Sequence, residues 1–245
     1  MMENRAYFNY KGIDSRDMYL YIVNDVSFPS PQSDIEFINV LGRDGEVAID
    51  NERLESVDFL LPVQLRLPTD LRVEQYATEI SNWLKSDPDW YELFFSGSED
   101  YKYIAMCYEQ FDIAQTLTNY GKTVIKFKLK PYKRIKDEKT IKLSNGTIIQ
   151  NQQSRISKPL IKIKGNGNIT FKNNDEDWLT LFDIDEEITI DSELMSIYKN
   201  DRPEYTKMSS NLDPLFPIIY KGENIITWKG DVDKVEIIPR WEAIM

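Results

Sequence analysis

Histidine is absent from this chain. Its absence removes the Ser-His-Asp and Cys-His nucleophile systems, imidazole proton shuttles and most zinc and iron sites at once. An enzyme built on this sequence would have to work with carboxylates, lysine, tyrosine or an oxygen-bound metal. Cysteine is nearly absent as well. Cys107 stands alone, so no intrachain disulfide can form, as in chains that fold in a reducing cytoplasm. Long apolar runs are missing: nothing approaches the roughly 18 residues of a membrane span, and the opening Met1 to Phe8 lacks the apolar core of a secretion signal. Positive charge is also short. Thirty Lys and Arg face 41 Asp and Glu, a net charge of −11. That balance is the reverse of a nucleic-acid binder's footprint, and it repels DNA rather than gripping it.

What is present suits one large all-β domain or two ordinary ones: 245 residues, 41% of them hydrophobic, enough to build cores. The chain opens on a hairpin-like pair, Tyr7 to Tyr10 and Met18 to Val23, around a turn at Lys11-Gly12. Phe28-Pro29-Ser30-Pro31 reads as an extended connector, because proline removes ladder donors and biases its predecessor away from helix. Ile35 to Leu41 and Glu46 to Ile49 flank Gly42-Arg43-Asp44-Gly45, a hairpin signal. Val57 to Leu67 is a strand whose Pro62 suggests an edge or a bulge. Val73, Tyr76, Ala77, Ile80, Trp83 and Leu84 then fall on one stripe of a helix, with Thr69 or Asp70 as cap and Asp87-Pro88 as stop.

From Trp90 the pattern returns to strands. Along Thr123 to Leu129 apolar residues alternate with Lys126, Lys128 and Lys130. Pro131 to Thr140 is polar and charged and marks a boundary. Beyond it come short strands only, separated by turn signals such as Gly165-Asn166-Gly167. The last stretch, Pro214 to Trp241, reads as a three-stranded meander with turns at Lys221 to Asn224 and Lys229-Gly230-Asp231. The expectation is a mainly β chain with one packed helix. Residues 1–135 form a β-rich domain carrying the helix, and residues 136–245 a β-sandwich.

No catalytic, cofactor-binding or metal-ligating residue stands out. Asp183-Ile184-Asp185-Glu186-Glu187 starts like a calcium loop, but Ile188 occupies the glycine position and Leu194 the glutamate position of that motif. Gly165-Asn166-Gly167-Asn168 lacks the third glycine and the helix of a dinucleotide fingerprint. Trp178, Trp228 and Trp241 could stack sugars, but aromatic residues in a sandwich more often fill the core. The lysines from Lys122 to Lys142 are the one basic concentration on an acidic chain. They either protect an edge strand from pairing or meet an acidic face of an identical subunit.

Four ordered stretches resemble the distal tail protein (Dit) family of long-tailed, siphovirus-type bacteriophages of Gram-positive bacteria. They are Phe8 to Ser15; Val40 to Glu46 with its Gly42-Arg43-Asp44-Gly45 turn; Ile188 to Tyr198 around Asp191-Ser192-Glu193; and Phe216-Pro217, Gly222-Glu223-Asn224, Trp228 to Gly230 and Ile238 to Trp241. The resemblance implies a non-enzymatic hub of the phage tail tip without cofactors. Its N-terminal domain is then a β-barrel-like ring-former, its C-terminal domain a galectin-like, carbohydrate-module-like sandwich. Six copies form a ring between the major tail tube protein and the tail-associated tip protein. Receptor-binding or baseplate proteins attach to it, DNA only passes through the channel, and no membrane is involved. The virion component is made in the host cytoplasm and encoded by a phage or prophage. Gly42, Arg43, Asp44, Gly45, Lys126, Lys128 and Lys130 are the expected assembly residues. The alternative function is a carbohydrate-binding module for a host cell-wall saccharide.

Overall fold

The computed structural model describes residues 5–23, 25–98, 100–209 and 215–245; Pro214, the first residue of the expected closing meander, lies outside them. The fold is mainly β. The chain divides into two compact units, Met1–Lys136 with Ile244–Met245, and Asp137–Ala243. The sequence-based expectation assigned the whole chain end to the second part. The last two residues instead belong to the first unit, where Met245 N–H donates to Pro131 O at 3.2 Å and the methionine packs on that unit's core.

The first unit contains β1 (Phe8–Tyr10), β2 (Ile13–Asp14), β3 (Leu20–Ile22), β4 (Ser33–Asn39), β5 (Glu46–Leu54), β6 (Val57–Arg66), α1 (Val73–Lys85), β7 (Tyr91–Phe95), β8 (Tyr101–Met106), β9 (Ala114–Leu117) and β10 (Tyr120–Ile135). Its main sheet runs β2-β1-β7-β8-β10-β6-β3, with β9 also on β10. The alternating residues Phe59, Leu61, Ile125, Phe127 and Leu129 are fully buried, because side chains of a strand leave in opposite directions. Helix α1 covers that face with Val73, Ile80, Trp83 and Leu84. Phe8 stacks on Trp83 at 5.6 Å between centroids, and the Trp83 indole N–H donates to Tyr10 O at 3.1 Å. The expected cap is not used. Arg72 holds the N-cap position without a side-chain bond, and Val73 N–H finds Thr118 O at 3.1 Å. A tertiary carbonyl thus satisfies an orphan donor that Thr69 or Asp70 was expected to serve. Ser15 is fully buried and ties the opening hairpin: it accepts from Phe8 N–H at 3.1 Å and donates to Leu20 O at 2.9 Å.

Pro62 does sit at an open stretch of β6. The β3 register ends at Val63, and the Pro62 carbonyl accepts from Val23 N–H on that side. The N and O of one strand residue point the same way, so the proline ring removes no ladder bond to β10.

The second unit contains β11 (Ile141–Leu143), β12 (Thr147–Asn151), β13 (Leu160–Asn173), β14 (Glu176–Ile184), β15 (Glu187–Asp191), β16 (Ser196–Lys199), β17 (Arg202–Pro203) and β18 (Gly222–Ile238). Two long strands organise it. Leu160 to Lys164 of β13 pair with Lys234 to Ile238 of β18, and Thr170 to Asn173 pair with Ile226 to Lys229, with register breaks between. The first stretch carries β11 and β15, the second β12 and β14. The sheet therefore curls over at the breaks and closes on Ile161, Ile163, Ile169, Phe171, Val235 and Ile237, all buried.

This corrects two expected turns. Gly165-Asn166-Gly167 and Lys229-Gly230-Asp231 do not reverse the chain; they are the bends inside β13 and β18. A Cβ on Gly165 would run into the Asp231 carbonyl oxygen, and one on Gly230 into that of Asn168. Here glycine permits two backbones to approach closely. The expected closing meander is one long bent strand, preceded by the isolated Ser157–Ile219 bridge.

Candidate functional site

The hairpin β4–β5 forms a two-stranded sheet by itself. Its register pairs Ile35 with Asp50, Phe37 with Ala48, Ile38 with Val47, and Asn39 with Glu46. Paired residues share a face. Ile35, Phe37 and Ala48 thus lie on one side, flanked by Asp50 and Glu46, while Glu36, Ile38, Val47 and Ile49 lie on the other. Both sides are open to solvent. Phe37 is 60% exposed and Leu41, at the tip, wholly so. An isolated two-stranded ribbon is marginal in water, and large exposed apolar side chains in one place mark contact surfaces.

The turn is wider than the Asp-Gly signal suggests. Val40 to Gly45 form the connection, with Arg43 N–H donating to Val40 O at 3.1 Å, and Gly42 and Gly45 at φ of 79° and 77°. Both glycines have open space around them, so positive φ alone demands glycine. Arg43 and Asp44 are exposed. At the base, Arg53 and Asp34 form an ion pair, and that bond is the leading cause holding the Asp34 carboxyl below its ordinary range.

Lys126, Lys128 and Lys130 stand on the outer face of β10. The edge-protection reading loses ground: β6 pairs β10 from Tyr120 to Leu129, and β8 pairs it at Lys128, Leu129 and Lys133 to Ile135, so β10 is an interior strand of its sheet. Lys126 Nζ lies 2.7 Å from Glu109 Oε1 and 3.0 Å from Asp58 Oδ2; Lys128 Nζ lies 3.2 Å from Asp58 Oδ1. Hydrogen bonds to Glu109 and then Asp58 raise the Lys126 pKa, and Lys126 lowers both carboxylates in turn. Lys130 lies over the Trp90 ring at 5.6 Å. The structure does not place these lysines with the hairpin turn inside one subunit.

Among the described residues no group of three or more His, Cys, Asp and Glu could hold a metal ion. Two acids of the calcium-like stretch are engaged by one lysine: Lys199 Nζ lies 3.3 Å from Asp185 Oδ2 and 3.6 Å from Glu186 Oε2. Cys107 is buried, and burial pushes its thiol up to about 11, which leaves negligible thiolate at neutral pH. Among the described residues no helix is long and apolar enough to cross a membrane. Trp178 is buried and donates to Ile218 O at 2.8 Å; Trp228 packs on Phe171 at 5.5 Å; Trp241 packs on the same core. The three do not form an open platform.

Sequence reasoning missed one constellation. Arg240 grips Asp191 bidentately at 2.6 and 2.7 Å. Asp191 also accepts the N–H groups of Glu193 at 3.1 Å and Leu194 at 3.0 Å. Burial by itself would raise the Asp191 pKa; the bonds from Arg240 and Leu194 outweigh it and lower the value. The stretches around Asp191-Ser192-Glu193 and Pro239-Arg240-Trp241, far apart in the chain, are thus two halves of one joint.

No protein-family model matches the sequence, and no curated protein matches it. Solved structures do match in fold. The Dit protein (gp 19.1) of phage SPP1, described as a paradigm of the hub adsorption apparatus in Gram-positive infecting phages, superposes with a TM-score of 0.74 at 12% identity, covering 95% of this chain and 98% of that one. A chain of the phage P2 baseplate in its activated conformation with calcium gives 0.55 at 10% identity, covering 95% and 96%. The same baseplate with strontium gives 0.53 at 11% identity and the same coverage. The fold is therefore Dit-like along nearly the whole chain.

Proposed function

We propose that this protein is a structural hub of a phage tail tip, assembling as a hexameric ring between the tail tube and the tip or adsorption proteins. The observation that carries the reading is the unpartnered β4–β5 hairpin, with Phe37, Ile38, Val40 and Leu41 exposed, on a fold shared with a hub protein. Apolar strands that stay exposed and, among the described residues, pair only with each other call for another chain. The first unit, with Gly42 to Gly45 and Lys126, Lys128 and Lys130, builds the ring; the second unit offers surface to tip proteins.

The work is assembly, not catalysis. An acidic ring suits a channel through which DNA only passes, because a negative wall does not trap phosphate. The protein is made in the bacterial cytoplasm and ends in the virion tail. The saccharide-binding alternative loses its main support, since the tryptophans that would stack sugar lie in or against the core.

Native mass spectrometry of the full chain, alone and with its tail-tube partner, tests the proposal. Six copies per particle are expected. A chain that stays monomeric in both samples overturns the ring.

A further inference from the structure

We infer that the outer face of β10 and β6 receives the β4–β5 hairpin of a second copy of this chain. The inference rests on the assembly proposed above and names the two surfaces that meet.

Charge is sorted between these segments. Tyr120 to Lys136 carries six lysines, one arginine and no acidic residue, on a chain of net charge −11. Ser33 to Leu54 carries six acidic residues and two arginines. Asp58 and Glu109 neutralise part of the basic face through Lys126 and Lys128, and Lys122 extends it, exposed, at the other end.

Apolar surface is sorted in the same way. On the basic face Leu60 is 57% and Val124 50% exposed. Lys126 stands opposite Leu60 in the ladder, and Val124 opposite Pro62. The result is an apolar centre with a lysine rim. The hairpin face of Ile35, Phe37 and Ala48 between Asp50 and Glu46 is its complement in both respects. An exposed aromatic at the centre with opposite charges at the rim is the usual anatomy of a specific interface.

The occupant is a second copy rather than the same chain. Only Glu55 and Ser56 separate β5 from β6, which leaves the hairpin no slack to fold back over the face that β6 itself builds. The two surfaces differ, so the contact is head-to-tail, the kind that closes into a ring when the rotation permits.

Charge exchange tests the pairing, read by sedimentation of the full chain. Glu46→Lys with Asp50→Lys, and separately Lys122→Glu with Lys128→Glu, should each weaken association about tenfold or more, and the four changes combined in one chain should restore most of it. Phe37→Ala, which touches no core residue, should also weaken association about tenfold or more. Thermal melting checks that each variant remains folded. If the unmodified chain assembles and the combined variant is no better than the worse of its two parents, this pairing is wrong while the ring stands. The same holds if neither reversal weakens assembly or if Phe37→Ala has no effect. If the unmodified chain does not self-associate either alone or with its tail-tube partner, the ring and this pairing both fall.

Discussion

The β4–β5 hairpin and the curled sheet of the second unit are both antiparallel, and both depend on glycine, yet they use it for opposite reasons. Gly42 and Gly45 have positive φ and empty space around them, whereas Gly165 and Gly230 sit where a Cβ would strike a backbone carbonyl, Gly230 at positive φ as well. In the second unit both halves of β13 and β18 bury their apolar residues against each other. In the hairpin, strands of similar character leave theirs in water. The difference separates two ways of using apolar strands: the second unit closes its own core, while the hairpin leaves its large apolar side chains exposed.

The largest effect should come from breaking the closed region. Gly165→Val pushes a branched side chain into the Asp231 carbonyl and should cost more than about 4 kcal/mol, enough to prevent folding of the second unit. A variant that melts like the parent in calorimetry would show that the bend does not need close backbone approach.

Next is Asp191→Asn, which takes the negative charge out of the bidentate pair with the partly buried Arg240. The expected loss is about 3 kcal/mol, because removing one partner strands the other charge. The pH profile has a definite sign. Despite burial, the Arg240 guanidinium and the Leu194 N–H hold the folded Asp191 carboxyl below its ordinary value. Its stabilisation is therefore complete above the unfolded value and lost as pH falls through the lower, folded one. Denaturant titrations from neutral pH into this acid range should show the parent losing stability that the asparagine variant no longer has to lose. Parallel curves would remove Asp191 from the account.

The smallest effect on folding should come from the open region. Gly45→Val meets no atom, only the strain of φ near 77°, and should cost about 1–2 kcal/mol, felt in the hairpin alone. Melting of the monomer should barely change while ring formation falls, as read by native mass spectrometry. A fully assembled ring in this variant would show that the turn's geometry is dispensable.

Much of this was legible in the residues because the signals are local. The stripe from Val73 to Leu84 marked α1, the alternation through Phe127 and Leu129 marked the buried face of β10, and Gly42 to Gly45 marked a hairpin. The failures share a cause. A glycine-asparagine run looks the same whether the chain reverses or two strands cross closely, so the bends at Gly165 and Gly230 were read as turns. A lysine ladder looks the same on an edge strand as on the solvent face of an interior one, so edge protection stood as one of two readings of β10. The helix cap was misread because Thr118 O, remote in sequence, supplies the bond.

By itself the sequence determined a mainly β chain with one helix, an acidic surface, and the exclusion of histidine chemistry. Those properties follow from composition and from periods of 2 and 3.6 residues, which each segment carries alone. Tertiary structure decided which strands are interior, that Asp191 meets Arg240, and that β4 and β5 pair only with each other among the described residues. Each of these depends on which distant segments come together, and no local pattern encodes that. The opening hairpin shows both at once: Lys11-Gly12 announces its turn, but only the fold makes Ser15 the buried hydroxyl that ties Phe8 to Leu20.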